Sequence, residues 1–77
     1  LVITPNPAHD NITITINGRL KIKNGTLKIF NVLGSIVKET TFHGDKTTIQ
    51  RDGMADGVYF VRACSKERVW TAKIIID

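Results

Sequence analysis

Two runs of strand-forming residues, Val58 to Cys64 and Val69 to Ile76, flank the short polar segment Ser65, Lys66, Glu67 and Arg68 near the end of this chain. Such a pair predicts a β-hairpin. A loop of two residues (Lys66, Glu67) and one of four (Ser65 to Arg68) set the same residues opposite each other: Tyr59 with Ile74, Val61 with Ala72, and Ala63 with Trp70. One face of the hairpin is then wholly apolar. The other mixes Phe60, Cys64, Val69 and Ile75 with Arg62, Thr71 and Lys73, as suits strands half covered by loops or by a neighbouring domain. The apolar face needs a second layer, and the residues upstream have to supply it.

Those residues read as further short strands. Thr4 to Asn11 contains Pro5 and Pro7, which fix the backbone and remove two ladder donors, so residues 1–10 are expected as an extended or turning lead-in. From Asn11 to Ile16, Ile12, Ile14 and Ile16 alternate with Thr13 and Thr15, the pattern of a strand with one buried face. Two Asn-Gly pairs follow. A two-residue turn at Asn24-Gly25 keeps Ile22 beside Leu27 and Leu20 beside Ile29, with Lys21 opposite Lys28 on the outer face, whereas one at Asn17-Gly18 sets Arg19 and Lys21 against isoleucines. The tight turn is therefore expected at Asn24-Gly25, and Gly18 as a bulge or part of a longer loop. Leu27 to Asn31 continues as a strand, Val32-Leu33-Gly34 turns, and Ile36 to Phe42 returns. His43 to Lys46 is expected as a loop and Thr47 to Gln50 as a short strand. Arg51 to Gly57 is a loop rich in glycine and aspartate, with Met54 as its apolar anchor.

No window of ten or more residues holds helical spacing without a glycine or an alternation breaking it. Six or seven short strands in 77 residues predict an all-β fold, a small antiparallel two-sheet immunoglobulin-like β-sandwich. Gly57 followed by Tyr59 at the entrance to a late strand fits the corner that such domains close with a phenol on the backbone; an ordinary buried tyrosine explains it equally.

This length allows one domain, with stability of about 4 to 12 kcal/mol. At 42% hydrophobic and 23% charged residues the composition is that of a folded domain, not a disordered tail. The longest purely apolar run, Ile74 to Ile76, is far too short for a membrane-spanning helix. Leu1 opens on strand-like sequence with no basic and apolar leader, so the numbering is expected to begin inside a longer polypeptide. The single cysteine, Cys64, excludes an internal disulfide and a multi-thiolate metal site, and its place in a strand pattern suits a packed small side chain. The net charge of +4 includes the alternating Arg19, Lys21 and Lys23. Without interleaved aromatics these suit a solvated strand face better than a nucleic-acid site.

Catalytic groups do not assemble. His9 and His43 accompany scattered Ser and Asp residues, but there is no nucleophile elbow, zinc spacing, calcium loop or phosphate-cradling glycine loop. No enzymatic activity, cofactor, small-molecule substrate or nucleic-acid partner is expected.

Three landmarks fall in order: Pro5-Asn6-Pro7 before the first strand, Leu27 to Gly34 in the middle, and Gly57-Val58-Tyr59-Phe60-Val61 leading to Lys73-Ile74-Ile75-Ile76. In this order and spacing the chain resembles the C-terminal sorting domain of proteins exported by the type IX (Por) secretion system of certain Gram-negative bacteria, over almost its whole length. The resemblance implies a single sorting domain over residues 1–77, expected as a monomer, closing a secreted enzyme or adhesin whose cargo domain lies upstream. It implies passage through the periplasm, recognition by the translocon, export to the cell surface or medium, and removal by a cell-surface sortase that commonly links the cargo to anionic lipopolysaccharide. The final residues matter most for recognition in that family; here they are Lys73, Ile74, Ile75, Ile76 and Asp77, with Gly57 and Tyr59 shaping the adjacent strand. A basic residue often closes such domains, where this sequence has Asp77. A terminal strand with a mixed face could be read by strand addition. Two other readings are an immunoglobulin-like carbohydrate-binding or adhesin module, favoured if Trp70 and Phe60 share an exposed flat face, and a domain that stabilises an upstream enzyme.

Overall fold

Period-two alternation of β-branched residues decides which side of each strand meets the interior. Ile12 and Ile14 are buried, while the threonines between and beyond them are only partly covered. The computed structural model describes residues 2–4, 9–16, 22–66 and 68–77, the side chains of 22–24 and 43 excepted. Among these residues there are seven strands and no helix: β1 (Val2–Thr4), β2 (Asn11–Thr15), β3 (Ile22–Phe30), β4 (Ile36–Gly44), β5 (Lys46–Gln50), β6 (Gly57–Cys64) and β7 (Val69–Ile76). They form two antiparallel sheets, one ordered β1-β2-β5 and the other β4-β3-β6-β7. The all-β, two-sheet, antiparallel expectation is met with the higher of the two strand counts.

The buried sides of both sheets contribute to one apolar cluster. Ile3, Ile12, Ile14 and Ile49 come from the three-stranded sheet, and Leu27, Ile29, Val61 and Ile74 are among those from the other. Met54 reaches the same cluster from the loop before β6, as its lone apolar character there suggested. Each large side chain so buried stabilises the fold by about 1.5–3 kcal/mol. Among the described residues the core holds no other polar or charged side chain besides the Tyr59 phenol.

The terminal hairpin has the expected register: Tyr59 faces Ile74, Val61 faces Ala72 and Ala63 faces Trp70. Its loop is the four-residue form, with Cys64 paired to Val69 and the Ser65 N–H donating to the Arg68 carbonyl at 2.8 Å. The turn after β3 is also as read. The Asn31 side-chain oxygen accepts from the N–H groups of Leu33 and Ser35 at 3.0 Å each, and Gly34 N–H donates to the Asn31 carbonyl.

Three expectations are revised. There is no tight turn at Asn24-Gly25, because β3 runs straight through it. Gly25 lies buried opposite the bulky Phe42, at a register shift between Ile22 and Gly25. A glycine inside a strand marks such an irregularity as readily as a turn, and that is its meaning here. Leu27 and Ile29 accordingly pair with Ala63 and Val61 of β6, and Lys28 stands between Glu39 and Arg62. The expected partners Leu20 and Lys21, like Asn17-Gly18, lie outside the described residues.

The loop expected at His43 to Lys46 shrinks to Asp45 alone. At that point the chain leaves one sheet at the end of β4 and enters the other at β5. Gly44 makes this corner possible with φ at 83°, a conformation that costs an L residue about 1–2 kcal/mol. The Ile16 N–H donates to the Asp45 carbonyl at 2.8 Å and fixes the corner to the end of β2. No atom lies within 4 Å of a Cβ built on Gly44, so Gly44→Ala should cost about 1–2 kcal/mol through the backbone alone. Gly53→Ala, equally open but without the left-handed φ, should be nearly neutral. Equal urea midpoints for the two variants would refute this account of the corner.

Finally, Val2–Thr4, placed by the sequence in a lead-in, form β1, which pairs with β2 and buries Ile3. At the opposite margin β1 comes alongside β7, as β5 does alongside β4.

Candidate recognition surface at the terminal hairpin

The last loop and strand are held by a small number of named contacts. The turn from Arg51 to Met54 closes with a backbone hydrogen bond of 3.1 Å, and Asp52 within it takes a φ of 52°, which aspartate tolerates better than most residues. Gly57 then starts β6 with φ at 153°, outside the usual range of L side chains, so this corner does require its glycine. Two residues on, Tyr59 buries its ring and donates its hydroxyl to the Ala55 carbonyl at 2.6 Å. The phenol thus closes the corner on the backbone, the first of the two readings given for this tyrosine. Tyr59→Phe should keep the packing and lose about 1 kcal/mol, read as a melting-point drop of several degrees. An unchanged melting point would deny the hydroxyl any part in the corner.

Arg51 is the residue that the sequence reading passed over. Its main-chain N–H donates to the Asp10 carbonyl at 2.8 Å. Its guanidinium donates to the carbonyls of Met54 at 2.8 Å, Asp77 at 3.3 Å and His9 at 3.4 Å, and pairs with the Asp56 carboxylate. The five-donor fork of arginine suits several acceptors at once, where a lysine would serve as a point charge. One side chain thereby ties the 51–56 loop, the entry to β2 and the end of β7. His9 adds a second tether, its Nδ1 donating to the same Asp77 oxygen at 2.8 Å. An arginine opening a loop rich in glycine and aspartate was the only sequence signal, and nothing local pointed to partners so distant in the chain.

The residues expected to carry recognition divide by parity. Ile74 and Ile76 are fully buried, whereas Lys73, Ile75 and Asp77 are exposed. β7 is an outer strand of its sheet, paired to β6 and flanked by β1. Pro5, Asn6 and Pro7 lie outside the described residues. Trp70 points inward and packs against the core, while Phe60 points outward, so the two rings do not share the flat face that a sugar platform would need.

A family model described as a secretion system C-terminal sorting domain matches residues 2–77. The chain belongs to that family. The sorting domain is a type IX secretion signal, a module for export to the cell surface or beyond, and its family is one of signals and not of catalysts. It is also similar to part of an endo-acting ulvan lyase from Formosa agariphila, at 34% identity over 65 residues. That alignment covers 83% of this chain, and the chain spans only 12% of the length of that relative.

Proposed function

We propose that the domain carries an upstream cargo through the periplasm to the type IX translocon, which reads Lys73 to Asp77 together with the Gly57–Tyr59 corner, and that a cell-surface sortase afterwards removes it. We further propose that the two sheets stack face to face as an immunoglobulin-like sandwich, the single apolar cluster being the support for that reading. The cargo is an exported protein, and a stretch similar to this domain forms part of an endo-acting ulvan lyase.

The observation behind the recognition reading is the division of the last five residues. Ile74 and Ile76 anchor β7 in the core while Lys73 and Ile75 face outward, and Arg51 and His9 hold the main-chain oxygen of Asp77. A strand end so fixed presents its outward side chains and backbone in one conformation, which lowers the ordering cost of binding.

The test is export of a fluorescent protein, given an N-terminal signal peptide and this domain at its C-terminus, in a type IX-secreting bacterium. The intact fusion should reach the medium or surface, and deletion of Lys73–Asp77 should leave it in the periplasm. Because deletion also takes Ile74 and Ile76 from the core, the outward pair Lys73→Ala with Ile75→Thr is measured beside it. Normal export of both variants would end the proposal.

A further inference from the structure

The outer faces of the two sheets differ in kind. On the three-stranded sheet, Thr4, Thr13 and Thr48 form a row, with the hydroxyls of Thr13 and Thr48 3.2 Å apart. On the four-stranded sheet, Phe30 and Phe60 are cross-strand partners, with Ile36 beside Phe30 and the Val58–Ile75 pair beyond Phe60. Phe60 is 45% exposed, Ile36 50%, Ile75 38% and Val58 37%. Of the exposed large hydrophobic residues described, all except Val2 lie on this sheet or in its β3–β4 turn.

Charge is arranged beside this patch. Lys28 and Arg62 are direct cross-strand partners one row away from the phenylalanines. Among the described residues neither makes an ion pair or a side-chain hydrogen bond. Like charges opposite one another destabilise a sheet, and the neighbouring Glu39 supplies a single carboxylate for two cations. A surface that keeps Phe60 exposed against a half-buried Phe30, next to an under-compensated cationic pair, is complementary to an apolar patch bordered by carboxylates.

We propose that this face, centred on Phe60 with Lys28 and Arg62 at its border, is where a protein of the export machinery docks, through an apolar surface edged with acidic side chains. The proposal rests on the sorting reading and adds a second contact to the strand end. Phe60 is the central anchor, and the two cations orient the partner and speed its encounter.

The same fluorescent fusion tests it with Val58→Thr/Phe60→Thr, Lys28→Glu/Arg62→Glu and, on the opposite sheet, Thr13→Glu/Thr48→Glu. The threonines keep strand propensity, and the charge reversal alters solvent-facing groups, so at least one face variant is measured folded, as checked by melting of the purified domain. Both face variants should lower export about tenfold or more, as expected when a central anchor or its charged border is lost, with the opposite-sheet control unchanged. Export at the wild-type level by a folded face variant overturns the docking face and leaves the sorting reading standing. Failure of the intact fusion to export overturns both. Binding of the purified domain to phosphatidylglycerol vesicles that is lost in the face variants would assign the face to lipid, and sedimentation as a dimer broken by Val58→Thr/Phe60→Thr would assign it to a second copy; either result overturns a protein partner of the export machinery.

Discussion

Ile74→Ala should lower the unfolding free energy by about 2–5 kcal/mol, while Ile75→Ala, one residue later, should lower it by less than about 1 kcal/mol. Ile74 is 0% exposed and packs in the shared cluster, so truncation leaves a cavity that the surrounding side chains fill only in part; Ile75 is 38% exposed on the outer face. A domain of this size has about 4–12 kcal/mol in all, so the first change removes a large fraction and lowers the melting temperature on the order of 20 °C. Urea unfolding of the two purified variants checks it. Similar losses at both positions would mean that β7 does not lie on its sheet in the register described.

The second large effect is expected at Arg51. Arg51→Ala removes the donor shared by the carbonyls of Met54, His9 and Asp77 and the partner of Asp56. Hydrogen bonds from a charged group are worth about 1.5–3 kcal/mol when well buried, and the partial exposure of this side chain brings the expected total to about 1–3 kcal/mol. Arg51→Lys should recover little, because one ammonium cannot reproduce the fork. Hydrogen exchange locates the effect: the Met54 amide and the amides at the end of β7 should lose more protection than Val61, whose core amide opens only with global unfolding. Loss confined to the 51–56 loop would show that the arginine does not hold the chain end.

These cases mark what the sequence could reveal. Alternation resolved the terminal hairpin to the residue, since Tyr59, Val61 and Ala63 have to face one way and only one pairing keeps their partners apolar. Period-two reasoning also found β2 and the return strand after Gly34. It failed at Asn24-Gly25 because parity along one strand is satisfied by a turn and by a continuing strand alike; the choice depends on Phe42 and β6, which are remote in the chain. It failed at Gly44 because a positive φ can replace a whole loop, and residue type alone does not say which will occur. Among the candidate recognition residues, burial of Ile74 and Ile76 and exposure of Ile75 were legible from the same alternation. The role of Arg51 was not, because its distant acceptors, on His9 and Asp77, are main-chain carbonyls, and every residue has one.

The ladders joining β2 to β5 and β3 to β6 bring Ile12 to Ile49 and Ile29 to Val61, residues far apart in the chain. Hairpins such as β6–β7 can zip locally, but each of these distant pairings has to close a long stretch of chain before any contact rewards it. Assembly is therefore slow for so short a polypeptide, on the order of milliseconds to seconds, and the apolar side chains of β3 and β6 remain open to solvent or to a chaperone until that closure is made.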